Sequence, residues 1–112
     1  MRGPALTDAQ IEELVDGLRA RYDPSAIDRE TVYYLSLGDE PFEKWTVTLT
    51  PSSCSMVKGR TRDADCVLKL RSQLFLALLN GSFEPSALDL LRGTIKTNDV
   101  ALLLRLRRAF GL

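Results

Sequence analysis

The side chains best suited to nucleophilic or metal chemistry are the two cysteines, Cys54 and Cys66. The sequence contains no histidine, so neither thiol has an imidazole in this chain to act as its general base. Two thiols also fall short of the four nitrogen or sulfur ligands that a structural zinc site needs. A disulfide is compatible with the count, but small cytosolic domains rarely keep one. We therefore expect two free, buried thiols that pack as small apolar residues, and no metal.

Acidic side chains are plentiful, but their positions predict a solvated surface. They lie on the polar side of a predicted helix or in a predicted loop: Glu12, Glu13, Asp16, Asp39, Glu40 and Glu43. A catalytic pair of carboxylates would have to converge in a cleft. The sequence also lacks the glycine-rich motifs that cradle phosphates. We therefore expect a protein that is not an enzyme and that holds no cofactor.

Composition predicts one globular domain over residues 1–112, with 45% hydrophobic residues and a net charge of zero. That zero net charge argues against a general nucleic-acid binder. The charge is unevenly distributed, because residues 1–59 carry 6 basic and 10 acidic side chains, whereas residues 60–112 carry 9 and 5. The basic excess ends in Arg105, Arg107 and Arg108, which either complement the negative end of a last helix or contact acidic head groups at a membrane surface.

Hydropathy predicts a cytoplasmic protein. No apolar run approaches the length needed to cross a bilayer. The first residues also lack the apolar stretch of a secretory signal peptide.

The first half of the chain predicts one helix followed by strands. Thr7 and Gln10 have the spacing of a capping box, and apolar residues recur at helical spacing behind them, which predicts an amphipathic helix over 8–22. Apolar and polar residues then alternate, which predicts strands over 31–37, 44–50, about 53–56 and about 66–71. Clean alternation with short connections favours an antiparallel sheet buried on one face only.

The second half predicts three helices and one short strand. The predicted elements are a helix over 73–80 capped by Ser72 and ended by Gly81, a helix from Pro85 to Gly93, a strand over 94–97, and a helix over 100–110 capped by Asn98-Asp99. These helices carry more apolar surface than packing on one sheet face requires. Either they cover one another in a dry core, or part of this surface lines a cavity for an apolar guest.

Five motifs follow one another from about residue 31 to residue 110. They are the tryptophan-bearing strand at 45–49, an Ala-Asp-apolar strand at 64–70, the pattern F-x-x-L-x-x-G at 75–81, a P…A…G-x-I-K stretch at 85–96, and the Asn98-Asp99 turn into a leucine-rich helix. Together they resemble the sterol carrier protein (SCP-2-type) lipid-transfer domain family. Asn98 stands where that family usually has glycine, and asparagine tolerates the positive φ that such a turn requires.

The resemblance implies a two-layer α+β fold. Its sheet has five strands and is mainly antiparallel, its helices pack on one face, and an apolar tunnel runs between the layers. It also implies non-catalytic binding, and transfer, of fatty acids, acyl-CoA or sterol-like lipids. The C-terminal residues 110–112 do not match the peroxisomal address of animal members, which suggests a bacterial form.

The candidate wall of this tunnel combines apolar residues of the sheet and the helices. From the sheet come Trp45, Val47, Met56 and Leu68, and from the helices come Leu74, Phe75, Leu78, Leu88, Leu91, Leu103 and Leu104. Phe75 is the first candidate for a gate, because its ring lies on a helix that is apolar nearly all round. The alternative is that the same helices mediate dimerisation or dock onto a protein partner, and the oligomeric state stays open.

Overall fold

The computed structural model describes residues 6–80, 82–84 and 86–111. In these residues the elements are, in chain order, α1 (Asp8–Ala20), β1 (Thr31–Ser36), β2 (Lys44–Leu49), β3 (Cys54–Lys58), β4 (Cys66–Lys69), α2 (Ser72–Leu79), α3 (Ala87–Arg92), β5 (Lys96–Thr97) and α4 (Val100–Ala109). Single turns of 3₁₀ helix lie at Pro24–Ala26 and Pro41–Glu43. The predicted roles of Gly81 and Pro85 fall outside the described residues.

The five strands form one sheet in the order β3-β2-β1-β4-β5. Three of the four strand pairs are antiparallel, so the predicted α+β fold with a mainly antiparallel sheet is confirmed. The central pair, β1 with β4, is parallel. This pair arises because β2 and β3 extend the sheet on one side of β1, and the chain then crosses to the other side and runs in the direction of β1.

The helices pack on one face of this sheet. The facing side chains of the strands alternate in register, with Tyr33 opposite both Val47 and Cys66, and Leu35 opposite Leu68. They join the apolar side chains of α1, α2 and α4 in one contiguous buried cluster. Burial of this shared surface is the main force that holds the two layers together.

The opposite face is partly covered by the loop between β3 and β4, so the prediction of a sheet buried on one side only is wrong at Thr46. This residue is 2% exposed. Its Oγ1 donates to the carbonyl of Gly59 at 2.6 Å and accepts from the amide of Thr61 at 3.0 Å. The guanidinium of Arg60 lies 5.1 Å from the ring centre of Tyr34. The parallel pairing of β1 with β4 requires a crossover connection, and this loop provides it.

Asp65 fixes the end of this crossing loop against the start of β1. Its Oδ2 accepts from the amide of Val32 at 2.9 Å, and its own amide donates to the carbonyl of Val32 at 2.8 Å. Two backbone groups at the buried start of β1 are thereby satisfied. These two hydrogen bonds explain why the Ala-Asp-apolar motif has an aspartate at position 65.

The predicted capping box of α1 is confirmed, because Thr7 Oγ1 accepts from the amide of Gln10 and the Gln10 side chain accepts from the amide of Thr7. The helix ends two residues earlier than predicted, at Ala20. Beyond it, the hydroxyl of Tyr22 donates to the carbonyl of Thr50 at 2.6 Å, and its ring packs on Phe110. These long-range contacts hold Tyr22 outside the helix.

The starts of the later helices differ from expectation at two positions. Ser72 is the first residue of α2 and not its cap, because the N-cap is Arg71 and makes no side-chain capping bond. Asp99 caps α4 as predicted, accepting from the amide of Leu102 at 3.0 Å. The expected positive φ at Asn98 is absent, since the described residues with positive φ are all glycines. Asn98 instead accepts from the amide of Val67 in β4, at 2.7 Å.

Within the described part of the chain, no helix combines the length and the apolar character that crossing a bilayer demands.

Candidate functional site

An apolar groove of about 260 Å³ lies between α3 and α4. Apart from one serine and one arginine, its lining side chains are apolar: Ala87, Leu90, Ile95, Val100, Leu103 and Leu104, with Ser86 and Arg107. On α4 these residues recur at i, i+3, i+4 and i+7, which is one face of a helix. The groove is therefore built by the apolar stripe of α4 and by the side of α3 that faces it.

Hydrogen bonds at both ends of α3 hold its side of the groove in place. The amide of Ser86 donates to Asp89 Oδ2 at 2.7 Å, which starts α3, and Gly93 ends it in the left-handed conformation at φ +75°. The amide of Ile95 then donates back to the carbonyl of Asp89 at 3.2 Å. This bond holds the buried Ile95 side chain at the base of the groove.

Arg107 places a charged group in this otherwise apolar lining. Its Nε is buried and has no hydrogen-bond partner among the described residues. A buried donor left without an acceptor costs about 1–3 kcal/mol, and more when the group is charged. Arg107 therefore brings a positive charge to one end of the groove.

The rim of the groove is unusually apolar for a surface. Val100 is 47% exposed and Leu104 is 48% exposed, and both lie on the α4 wall. On the neighbouring helix, Leu88 is 55% exposed and Leu91 is 81% exposed. Contiguous apolar surface marks sites of contact with ligands, proteins or membranes, and of these four residues Val100 and Leu104 border the groove.

Among the described residues, the members of the predicted wall are divided between the groove, the exposed surface of α3 and the core. Leu103 and Leu104 lie at the groove, and Leu88 and Leu91 are exposed on α3 outside its lining. The remaining candidates lie within or beside the core beneath the helices: Trp45, Val47, Met56, Leu68, Leu74, Phe75 and Leu78. Val47, Leu68 and Phe75 are buried in one contiguous core cluster. A tunnel between the layers, with Phe75 as its gate, stays a prediction.

Six residues that line the groove are not among the predicted wall residues: Ser86, Ala87, Leu90, Ile95, Val100 and Arg107. The spacing of Val100, Leu103, Leu104 and Arg107 was a usable signal, since it defines one face of the last helix. No comparable signal exists for Leu90 and Ile95, which meet α4 only through the tertiary fold.

The groove between α1 and α2 is larger, at about 470 Å³, but its lining is more mixed in chemistry. Leu14 and Leu76 face it together with Glu13 and Arg21. One guanidinium nitrogen of Arg21 already donates to the carbonyl of Gly111 at 3.2 Å. We therefore take the groove between α3 and α4 as the better candidate for an apolar guest.

The two cysteines are free, as expected, although only Cys66 is fully buried and Cys54 is half-buried. Burial raises the pKa of the Cys54 thiol to about 11. Burial also raises the pKa of Cys66, whose Sγ lies 3.3 Å from Thr97 Oγ1. Both groups are protonated thiols near neutral pH, and a protonated thiol is a poor nucleophile.

The three arginines near the C-terminus do not share one face of α4. Arg105 pairs with Asp28 at 3.5 Å, Arg107 lines the groove, and Arg108 is exposed. Positions 105 and 107 point to nearly opposite sides of a helix. The predicted joint contact of all three with a membrane surface is therefore not supported by this arrangement.

The SCP-2 sterol transfer family matches residues 8–110, so the family prediction is confirmed. No curated protein gives a significant match to this sequence. Sterol carrier protein 2 from Yarrowia lipolytica is 20% identical with a TM-score of 0.53, covering 99% of this chain and 98% of that one. The protein described as "UbiJ-SCP2 Ubiquinone synthesis protein" is 14% identical with a TM-score of 0.60, covering 88% of this chain and 83% of that one.

The fold also occurs as a small part of a much larger enzyme. The inverting sec-alkylsulfatase Pisa1 from a Pseudomonas species is 18% identical over 83% of this chain, with a TM-score of 0.68. This chain spans only 15% of the sulfatase. At these identities the structural likenesses show a shared fold, whereas the family match extends over nearly all of the sequence. The chain therefore belongs to the SCP-2 sterol transfer family.

Proposed function

We propose that this protein binds long-chain lipids non-covalently, with the groove between α3 and α4 taking part of the chain. Each buried methylene contributes about 0.8 kcal/mol, and the apolar lining offers such burial without any reactive group. The volume of about 260 Å³ is slightly below the usual ~300–1,000 Å³ of small-molecule pockets. The rest of a long chain would then lie over the exposed leucines of the rim.

The observation that carries this proposal is the apolar lining of the groove, in which Arg107 is the one charged residue. A fatty-acid carboxylate would supply a negative counter-charge to this guanidinium, which forms no ion pair among the described residues. Among the expected ligand classes, this favours a fatty acid over a sterol, whose single hydroxyl offers a weaker acceptor. An acyl-CoA would present its thioester oxygen there.

We infer a carrier and not an enzyme in its own right. Both thiols are protonated near neutral pH, and the sequence holds no histidine that could activate them. The description of the family as one of sterol transfer supports delivery of the ligand as well as binding. We extend the proposal to a cytoplasmic carrier that exchanges lipid with a membrane surface.

Calorimetric titration with palmitate, below its micellar concentration, tests the groove. Leu104→Trp fills the groove from its exposed rim, so we expect the dissociation constant to rise about tenfold or more. Leu76→Trp is the matched control, because Leu76 is similarly exposed but lines the groove between α1 and α2. Unchanged affinity in a folded Leu104→Trp protein would contradict the proposal.

Arg107→Gln separates the carboxylate contact from the contact with the chain. We expect weaker binding of palmitate and unchanged binding of the neutral monopalmitoylglycerol. Equal weakening of both ligands would show that Arg107 shapes the groove without pairing with the carboxylate.

A second function, docking onto a protein partner, is favoured by the exposure of Leu88 and Leu91. These residues are three apart on α3 and therefore lie on one face. Light scattering after size exclusion separates the two functions. A mass that rises with concentration, and falls back in Leu91→Gln, would support self-association through α3, whereas a constant monomer mass would favour the lipid carrier.

A further inference from the structure

A separate cavity of about 400 Å³ lies at the C-terminal end of α3. The end of β4, the start of α2 and the loop after β1 complete its walls. Four cationic side chains line it, from Lys69, Arg71, Arg92 and Lys96, against a single acidic residue, Asp39, among its described lining residues. We call this cavity the basic pocket. Such a concentration of positive charge is unexpected in a chain whose net charge is zero.

Two of these cations face each other across a strand pair. Lys69 of β4 is the direct antiparallel partner of Lys96 of β5. Like charges directly opposite each other on a sheet are destabilising. Within the described part of the chain, none of the four cations forms an ion pair. Asp39 therefore offsets only part of the positive charge of the pocket, and it does so without a direct ion pair among the described residues.

A buried hydroxyl adds a directed donor to the same pocket. Ser36 is 5% exposed and lines the pocket. Its Oγ already accepts a hydrogen bond from the ammonium of Lys44, at 2.7 Å. The serine hydrogen is therefore left to donate to another acceptor.

The start of α2 contributes further positive potential. The N-cap of this helix is Arg71, which lines the pocket and makes no side-chain capping bond. The positive end of the α2 dipole consequently lies at the pocket wall. Guanidinium groups, ammonium groups and a hydroxyl donor together suit an anion with several acceptor oxygens and more than one negative charge.

We propose that the basic pocket binds a phosphate group, presented by a lipid head group or by a free phosphate ester. A phosphate monoester carries close to two negative charges and three terminal oxygens. It can therefore pair with the ammonium groups of Lys69 and Lys96 and accept two hydrogen bonds from one arginine guanidinium. This site is distinct from the groove between α3 and α4, because the two linings share no residue. The proposal stands whether or not the groove binds an acyl chain.

Binding of lysophosphatidate and of glycerol 3-phosphate tests this site, measured by calorimetry at constant ionic strength. We expect the double variant Arg92→Gln/Lys96→Gln to weaken phosphate binding about tenfold or more. Binding of lysophosphatidate alone would identify the source as a lipid head group, and binding of both compounds a free ester. Either result supports the pocket only when Arg92→Gln/Lys96→Gln weakens the binding, because the acyl chain of lysophosphatidate can also bind in the groove. Unchanged binding of both compounds by this variant would overturn the proposal.

The control is Arg29→Gln/Arg108→Gln, which removes two exposed cations outside the basic pocket. We expect its affinity to stay within about twofold of the parent protein, since only screened long-range attraction is lost. Failure of both phosphate compounds to bind, or equal weakening in the two double variants, would overturn the proposal. Palmitate binding by the same variants reports on the groove separately. If the first double variant does not fold, Lys96→Gln alone gives the same comparison against Arg108→Gln.

Discussion

The hydroxyl of Tyr33, in the centre of the sheet, donates a hydrogen bond of 2.8 Å to the carbonyl of Leu102 in α4. Tyr33 is completely buried. Leu102 is next to Leu103, which lines the groove. The position of the groove wall is therefore coupled to the central strand through one side chain.

We expect Tyr33→Phe to lower the free energy of unfolding by about 0.5–1.5 kcal/mol, because the carbonyl of Leu102 loses a buried donor. Urea denaturation followed by far-UV circular dichroism gives this value. Tyr34→Phe is the control, since the described contact of Tyr34 is through its ring, with Arg60. Equal losses in the two variants would show that the bond to Leu102 contributes nothing specific.

Alkaline pH should destabilise the protein through its buried thiols and Tyr33. Burial raises the pKa of Cys54 from 9.0 to about 11 and raises those of Cys66 and Tyr33 above their ordinary values. The unfolded chain consequently releases these protons at lower pH than the folded protein does. The stabilisation of the neutral groups is fully present below about pH 9 and is lost as pH rises from there.

Urea denaturation in the presence of a reducing agent, between pH 7 and pH 11, measures this effect. We expect a constant free energy of unfolding up to about pH 8 and a decline above about pH 9. In Cys54→Ser the decline should be shallower, because a serine hydroxyl does not ionise in this range. Parallel curves for the two proteins would contradict the contribution of Cys54.

Gly38 leaves space that a buried carboxylate uses. A Cβ at this position would overlap the carboxylate of Glu43, which is buried and accepts from the amide of Glu40 at 3.3 Å. Gly38→Ala must displace Glu43, so we expect a loss of about 1–3 kcal/mol of stability by the same denaturation assay.

Gly17 in α1 is the matched control, because nothing lies within 4 Å of the Cβ that alanine would add there. Glycine inside a helix is less favourable than alanine by roughly 0.5–1 kcal/mol. Gly17→Ala should therefore increase stability while Gly38→Ala decreases it. Changes of the same sign in both proteins would show that backbone freedom, and not the overlap with Glu43, determines the response.

Local sequence patterns predicted most of the elements but little of their arrangement. The alternation in β1 and β2 and the cap at Thr7 depend on neighbouring residues, so they were visible in the sequence. The parallel pairing of β1 with β4 was not, because a two-residue period carries no information about strand direction. The predicted end of α1 is two residues too late, because the partners of Tyr22 are 28 and 88 residues away in the chain.

The candidate site was predictable only where it lies within one element. Leu103 and Leu104 were identified from the apolar last helix, and both line the groove. Burial of Val47 and Phe75 was equally clear from the pattern, but a pattern cannot distinguish a core contact from a contact with a ligand. The opposition of Lys69 and Lys96 depends on the register of a two-residue strand, which sequence periodicity does not specify.

The side chain of Asn98 has a consequence for association between molecules. β5 pairs with only two residues of β4, at Leu68 and Lys69, so it leaves the first part of that edge uncovered. There the side-chain carbonyl oxygen of Asn98 accepts a hydrogen bond from the amide of Val67. In a longer sheet edge, a neighbouring strand would accept that bond. Open strand edges recruit strands from other molecules and promote aggregation. A single amide side chain thus closes part of an edge that a glycine would leave available to a second molecule.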